Sequence, residues 1–69
     1  MSIYDKYPPY RTKELIRDVM KAGNLSGAEL ARQACVAQST VCRVYRGRCA
    51  PSMRVYMALI GVAREYLKD

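Results

Sequence analysis

Two short groups of small apolar residues, separated by a brief interruption, constrain the fold of this 69-residue chain more than any other feature. They lie in the stretch ELARQACVAQSTVCRVYRG, residues 29–47. Just before the first group, Ser26 and Glu29 have the spacing of a capping box, in which the serine oxygen accepts a backbone N–H and the glutamate caps the serine's own N–H. A helix is therefore predicted to begin here. Its inward-facing residues are predicted to be Leu30, Ala31 and Ala34.

A second helix is predicted over residues 38–46, with Gly47 as its C-terminal stop. The small residues of the preceding helix permit a close and steep crossing between the two helices. The residues expected to hold this crossing from the other side are Val36, Val41 and Val44. This packing leaves the opposite face of the second helix free, because residues at i, i+1, i+4, i+5 and i+8 lie on one side of a helix. The residues at those positions are Gln38, Ser39, Cys42, Arg43 and Arg46.

Helical signals account for most of the remaining chain. Apolar residues spaced i, i+1, i+4 and i+5 predict an amphipathic helix over residues 12–24. Pro51 and Ser52 are predicted to open a last helix that continues to about Tyr66, either unbroken or divided at Gly61. The chain is thus expected to be an all-α domain of four to five helices.

The first 11 residues lack this periodicity. Tyr4, Tyr7 and Tyr10 are spaced around the pair Pro8-Pro9, so residues 1–11 are predicted to form an extended arm ahead of a domain over residues 12–69. Packing of the arm against the first or last helix is the preferred interpretation. An arm that reaches DNA usually carries several basic residues, whereas this one carries few.

Composition excludes several classes of function. The chain has no histidine, so neither imidazole acid–base catalysis nor the most common zinc ligand is available. The sequence shows no nucleophile–base pair or phosphate loop, and we predict neither an enzyme nor a bound cofactor or metal. Cys35, Cys42 and Cys49 are odd in number, which favours free thiols in a reducing compartment. No apolar run approaches the roughly 18 residues that span a bilayer, so a cytoplasmic protein without membrane contact is expected.

Positive charge is concentrated in the second half of the chain. The net charge is +6, and residues 30–64 carry six arginines and no acidic residue. Arginine is the cation suited to bidentate contacts with phosphate and guanine. A charged face that serves only solubility usually mixes both signs, so a polyanionic partner is the preferred interpretation. The major groove of B-form DNA, about 12 Å wide, admits a helix such as the one predicted over residues 38–46.

The segment LSGAELARQACVAQSTVCRVYRGRCAPS, residues 25–52, resembles the helix-turn-helix domains of phage repressors and Cro-like proteins. The resemblance implies a compact, lambda-repressor-like fold that contains a helix-turn-helix, and sequence-specific binding of double-stranded operator DNA in a bacterial cytoplasm. Repression by occupying a promoter is the expected outcome, and direct contact with RNA polymerase is the alternative. The residues assigned to base reading are Gln38, Ser39 and Arg43, together with Cys42 as an apolar contact for a thymine methyl. The residues assigned to phosphate contacts are Ser26 and Gly27 at a helix start, Thr40, Arg46, Arg48 and Arg54.

Four positions depart from the family pattern. Cys35 stands where the turn usually has glycine, so a strained or less tight turn is expected. Gly27 stands where several members have a glutamine that supports base contact. Met20 and Tyr45 replace an arginine–glutamate ion pair, and such a replacement by apolar residues is often neutral or stabilising when well packed. None of these changes removes the outward face of the second helix.

The last predicted helix has an apolar face that is wider than a small core requires. Two adjacent stripes run along it, and either both belong to the core or one makes a two-fold contact, since DNA-binding proteins of this class usually occupy paired half-sites. The stripe assigned to a homodimer is Val55, Leu59, Val62 and Tyr66. The same wide face also suits a protein-interaction module, for example the antitoxin of a toxin–antitoxin pair, which is the alternative function.

Overall fold

The computed structural model describes residues 3–67, in which every regular element is helical. The elements in order are α1 (Ile3–Lys6), a 3-10 turn (Pro9–Arg11), α2 (Thr12–Gly23), α3 (Gly27–Ala34), α4 (Gln38–Tyr45) and α5 (Met53–Tyr66). Over the described residues the chain contains no strand, so the predicted all-α class with four to five helices is confirmed. Gly61 does not interrupt α5, and the predicted ends of the four longer helices agree with the observed ones to within one or two residues.

Capping serines begin two of these helices. The Ser26 Oγ accepts a hydrogen bond from the Glu29 N–H at 3.2 Å, and the Ser52 Oγ accepts one from the Val55 N–H at 3.2 Å. Each bond satisfies one of the four N–H groups that the start of a helix leaves without a partner. The Glu29 carboxylate is directed toward the Arg32 guanidinium, 3.7 Å away. The serine half of the predicted capping box therefore forms, while the glutamate pairs along α3.

The ends of α2, α3 and α4 share one backbone arrangement. Each helix is followed by a residue in the left-handed region, namely Asn24 (φ 53°), Cys35 (φ 58°) and Gly47 (φ 76°). At each end, the N–H of this residue and the N–H of the next one bond back to carbonyls of the last helical turn. This is the Schellman arrangement, which usually places glycine at the left-handed position. Two of the three positions are filled here by other residues.

The core lies between α2 and α5, with α3 and α4 packed onto them. The largest fully buried apolar side chains are Leu15, Ile16, Val19, Leu30, Leu59 and Ile60. The side chains that were predicted to hold the crossing of α3 and α4 are in this cluster or packed against it, because the two helices face the core with their apolar sides. This cluster is what fixes the position of α4 relative to the rest of the chain.

Both apolar stripes of α5 belong to this core. Leu59 is only 1% exposed and Val62 only 7% exposed, so these two residues cannot contact a second molecule and their assignment to a homodimer interface is wrong. Tyr66 is half-buried, and its side chain already makes contacts within the chain. Its ring covers Gly23, where a Cβ would come within 2.8 Å, and its hydroxyl donates a hydrogen bond to the Gln33 side chain at 2.9 Å.

Residues 3–11 do not form the predicted extended arm. Ile3 and Tyr7 are four residues apart, so the single turn of α1 places them on one face, and both are buried. Full burial of an apolar side chain stabilises the fold by about 1.5–3 kcal/mol, which favours this compact path. The buried Thr12 hydroxyl donates to the Pro9 carbonyl at 2.6 Å and joins this segment to α2. The domain therefore includes residues 3–11, and the predicted boundary after residue 11 is wrong.

Tyr4 and Tyr7 attach this segment to α2 and α5, as the packing interpretation expected, whereas Tyr10 is 87% exposed. The Tyr7 hydroxyl donates to the Asp18 carboxylate, and in the interior the Tyr56 hydroxyl donates to the Tyr7 carbonyl at 2.7 Å. The Tyr4 ring lies 6.5 Å from the Tyr56 ring and 5.1 Å from the Arg64 guanidinium. Burial, and then the hydrogen bond to Asp18, raise the pKa of Tyr7 to about 12.

Candidate nucleic-acid interface

Residues 35–37 connect α3 to α4 and set the angle between them. Cys35 has φ 58° and ψ 38°, which is a left-handed conformation. Its N–H donates to the Arg32 carbonyl at 3.2 Å, and the Val36 N–H donates to the Ala31 carbonyl at 3.0 Å. The turn is therefore closed by two hydrogen bonds although its left-handed residue carries a side chain, a conformation that costs about 1–2 kcal/mol.

Helix α4 divides into a buried face and an exposed face. Val41 and Val44 are buried against the core, and Thr40 is half-buried beside them. The residues predicted for the outward face are all exposed, namely Gln38, Ser39, Cys42, Arg43 and Arg46. Across residues 3–67 none of these five side chains takes part in a hydrogen bond or an ion pair. Their donors and acceptors are therefore directed to solvent.

The residues predicted to contact phosphates fall in three parts of the fold. Arg46 and Arg48 are exposed at and beyond the C-terminal end of α4. Ser26 and Gly27 lie at the start of α3, where a Cβ added to Gly27 would meet nothing within 4 Å, so the backbone is open to approach. Arg54 is exposed in the first turn of α5. The structure thus brings the base-reading candidates together on one helix face, while the phosphate candidates come from three helices.

A cleft of about 460 Å³ adjoins the end of α4 and brings together residues that lie far apart in the sequence. Its lining consists of Pro9, Tyr10, Thr12 and Lys13 on one wall and residues 47–51 on the other, together with Val44. Lys13 and Arg48 contribute one positive charge from each wall. A partial signal was present in the sequence, because Lys13 lies in the first turn of a helix, where the helix dipole disfavours a cation. Its position beside Arg48 depends on the tertiary fold.

The three cysteines are free thiols, and all of them are exposed. Within residues 3–67 no group of three or more histidine, cysteine, aspartate or glutamate side chains is arranged to hold a metal ion. Over the same residues no helix is both long enough and apolar enough to cross a membrane. Of the three thiols, Cys42 is the one that lies on the exposed face of α4.

Comparison with known proteins returned no match of this chain to a protein-family model, a curated protein or a solved structure. A function must therefore be inferred from the residues of the chain itself. The exposed face of α4, together with the arginines around it, is the surface that most clearly suggests a ligand.

Proposed function

We propose that the chain binds double-stranded DNA sequence-specifically, with α3, the turn and α4 acting as a helix-turn-helix motif and α4 inserted into the major groove. One observation carries this proposal. Four side chains able to contact base edges are exposed on one face of α4 without partners in the described part of the chain, and no acidic residue occurs between residues 30 and 64. Such a face presents donors to DNA without repelling its phosphates.

Each residue of this face has a distinct role in the proposal. The Gln38 amide contacts an adenine and the Arg43 guanidinium contacts a guanine, each by two hydrogen bonds that contribute about 1–3 kcal/mol of discrimination. The Ser39 hydroxyl can donate a hydrogen bond to a base or accept one from it. Cys42 offers a small apolar surface to a thymine methyl.

The phosphate contacts fix the register of the motif on DNA without reading sequence. In the proposal they come from Thr40, Arg46 and Arg48 around α4 and from Arg54 on α5. The start of α3 adds the N–H groups that follow Ser26, because a helix N-terminus favours an anion. A small domain bound in this way regulates transcription by occupying a promoter, so repression is the outcome that we infer.

A second copy of the chain is the partner that we infer on DNA, through the exposed side of α5. Met53, Met57 and Gly61 follow one another at steps of four residues; Met53 is 66% exposed and Met57 is 46% exposed. A Cβ added to Gly61 would meet nothing within 4 Å. In an antiparallel pair of α5 helices, Met57 of each copy would pack over Gly61 of the other, which satisfies two-fold symmetry.

Selection of binding sites from random duplex DNA tests the proposal. The expected result is enrichment of a two-fold symmetric consensus whose half-sites are separated by about one helical turn, roughly 34 Å. Enrichment must be lost when Gln38 and Arg43 are both replaced by alanine, and it must persist when the exposed Arg17 of α2 is replaced. Absence of any enriched sequence with the unmodified chain would reject sequence-specific binding.

A protein-interaction module is the second candidate function, and the exposed Met53 and Met57 are the observation that favours it. Exposed apolar side chains grouped on one helix face often mark a contact with another protein. A stoichiometric protein partner that remains bound after nuclease treatment, together with no enrichment in the DNA selection, would support this candidate over the first.

A further inference from the structure

The cleft beside the end of α4 has the chemistry of an anion site. The 3-10 turn and the first turn of α2 supply one wall, and the loop that follows α4 supplies the other. The residues that line it are Pro9, Tyr10, Thr12, Lys13, Val44 and, from the second wall, residues 47–51. No acidic side chain is among them. Lys13 and Arg48 are therefore the charged residues of the lining, and no carboxylate lines this space of about 460 Å³ to neutralise them.

The charges of the cleft are unpaired within the described residues. Neither Lys13 nor Arg48 takes part in an ion pair or a side-chain hydrogen bond there. Glu14, the acidic residue next to Lys13, is engaged in an ion pair with Arg11. The helix dipole of α2 opposes a cation in its first turn and favours an anion at the same place. A bound anion would neutralise the two unpaired cations, and it would also offset the unfavourable interaction of Lys13 with the helix dipole.

The rest of the lining suits a phosphate that is attached to an apolar group. The Tyr10 ring is 87% exposed at the rim, so its hydroxyl is available as a third donor. The Thr12 hydroxyl already donates to the Pro9 carbonyl at 2.6 Å, so it is engaged within the chain. Pro9 and Val44 add apolar surface to the lining. A phosphate bound by the cations and Tyr10, with its sugar in contact with Pro9 and Val44, would match this lining.

We propose that this cleft holds a phosphate of the DNA backbone beside the groove that α4 enters, with Lys13 and Arg48 contacting it from opposite sides and Tyr10 donating a hydrogen bond. This inference rests on the proposed function, because the cleft borders the C-terminal end of α4 and therefore lies where a strand flanking the groove would pass. Lys13 and Tyr10 become DNA-contacting residues although they lie 30 and 33 residues from Arg43 in the sequence.

Salt-dependent binding to duplex DNA tests the cleft, with Lys13→Gln and Lys21→Gln as a matched pair. Both residues are exposed lysines of α2, but only Lys13 lines the cleft. Lys13→Gln should lower the slope of log affinity against log salt by about 0.9, so its affinity deficit should shrink by about 3.5-fold between 50 mM and 200 mM salt. Lys21→Gln should leave the slope unchanged. Far-UV circular dichroism checks that both variants stay folded.

A double-variant cycle tests whether the two cations share one phosphate. If they do, the affinity loss of Lys13→Gln with Arg48→Gln should fall short of the product of the two single losses by at least about twofold, because residues with a shared partner are not additive. Multiplicative losses, or equal slopes for Lys13→Gln and Lys21→Gln, would overturn the assignment of a backbone phosphate.

Titration with inorganic phosphate, followed by amide chemical shifts, separates failure of the cleft from failure of DNA binding. Amide shifts confined to residues 10–13 and 47–50 that vanish in the double variant support an anion site even if the chain binds no duplex. In that case a free phosphorylated molecule, rather than DNA, is the source of the phosphate. No shift in the cleft and no change in the DNA salt slope would reject the anion site altogether.

Discussion

Replacing Cys35 with glycine should stabilise the domain. Cys35 is held at φ 58° by the hydrogen bonds that close the end of α3, and its exposed side chain makes no hydrogen bond or ion pair within residues 3–67. A left-handed residue with a Cβ costs about 1–2 kcal/mol, whereas the larger conformational entropy that glycine loses on folding costs about 0.5–1 kcal/mol. The difference predicts a net gain of about 0.5–1 kcal/mol for Cys35→Gly.

Thermal and urea unfolding measure this gain. For a domain of this size, 1 kcal/mol corresponds to a shift in Tm of about 4–8 °C, so a rise of about 2–8 °C is expected. The urea midpoint should increase with an unchanged m-value, because the surface exposed on unfolding stays the same. DNA affinity should also stay the same, since the turn already has the geometry that glycine adopts.

Two control variants isolate the cause. Cys35→Ala removes the thiol but keeps the Cβ, so it should leave Tm nearly unchanged. Asn24→Gly changes the other left-handed residue, and because asparagine tolerates this conformation better, its gain should be smaller than that of Cys35→Gly. If Cys35→Ala raised Tm as much as Cys35→Gly, or if Cys35→Gly lowered it, backbone strain at residue 35 would be the wrong explanation.

Three further predictions concern the DNA contacts, the N-terminal segment and the dimer. Arg43→Ala should remove about 1–3 kcal/mol of discrimination at one base pair per half-site, whereas Arg48→Ala should weaken binding to all sequences alike; identical effects on a panel of mutated sites would contradict these separate roles. Because the pKa of Tyr7 is raised from 10.0 to about 12, the folded chain retains a proton that the unfolded chain releases, so stability is complete below about pH 10 and falls as the pH rises to about 12. Tyr7→Phe should flatten that decline in urea unfolding, and a decline equal to that of the unmodified chain would exclude Tyr7 as its source. Met57→Glu should abolish cooperative binding to paired half-sites in sedimentation experiments while leaving single half-site affinity intact; undiminished cooperativity would exclude the exposed side of α5 as the contact.

Helix positions could be predicted because their signals are local. Ser26 caps α3 through an N–H three residues away, and Gly47 ends α4 by its own φ of 76°. The exposure of the α4 outer face follows in the same way, since burying Val41 and Val44 on one side of a helix leaves Arg43 on the other. These features depend on residues within one or two helical turns of one another, and the sequence contains all of that information.

The errors arose where burial depends on what a distant segment covers. The first residues lack a long periodic pattern, yet Ile3 and Tyr7 are buried because α2 and α5 provide a surface for them. Leu59 and Val62 were assigned to a dimer because the width of an apolar face does not reveal how many neighbours within the chain will cover it. Helical periodicity predicts which residues share a face, but it does not predict which partner that face meets.

The sequence by itself therefore determined the helices, their caps and the face of α4 that carries Gln38 and Arg43, because hydrogen bonds and side-chain spacing within each segment decide these features. Only the tertiary structure decided that the N-terminal segment joins the core, that Leu59 is unavailable to a partner, and that Lys13 and Arg48 line one cleft. The physical reason is that these contacts join residues far apart in the chain, and their formation depends on the packing of all the helices together rather than on any one of them.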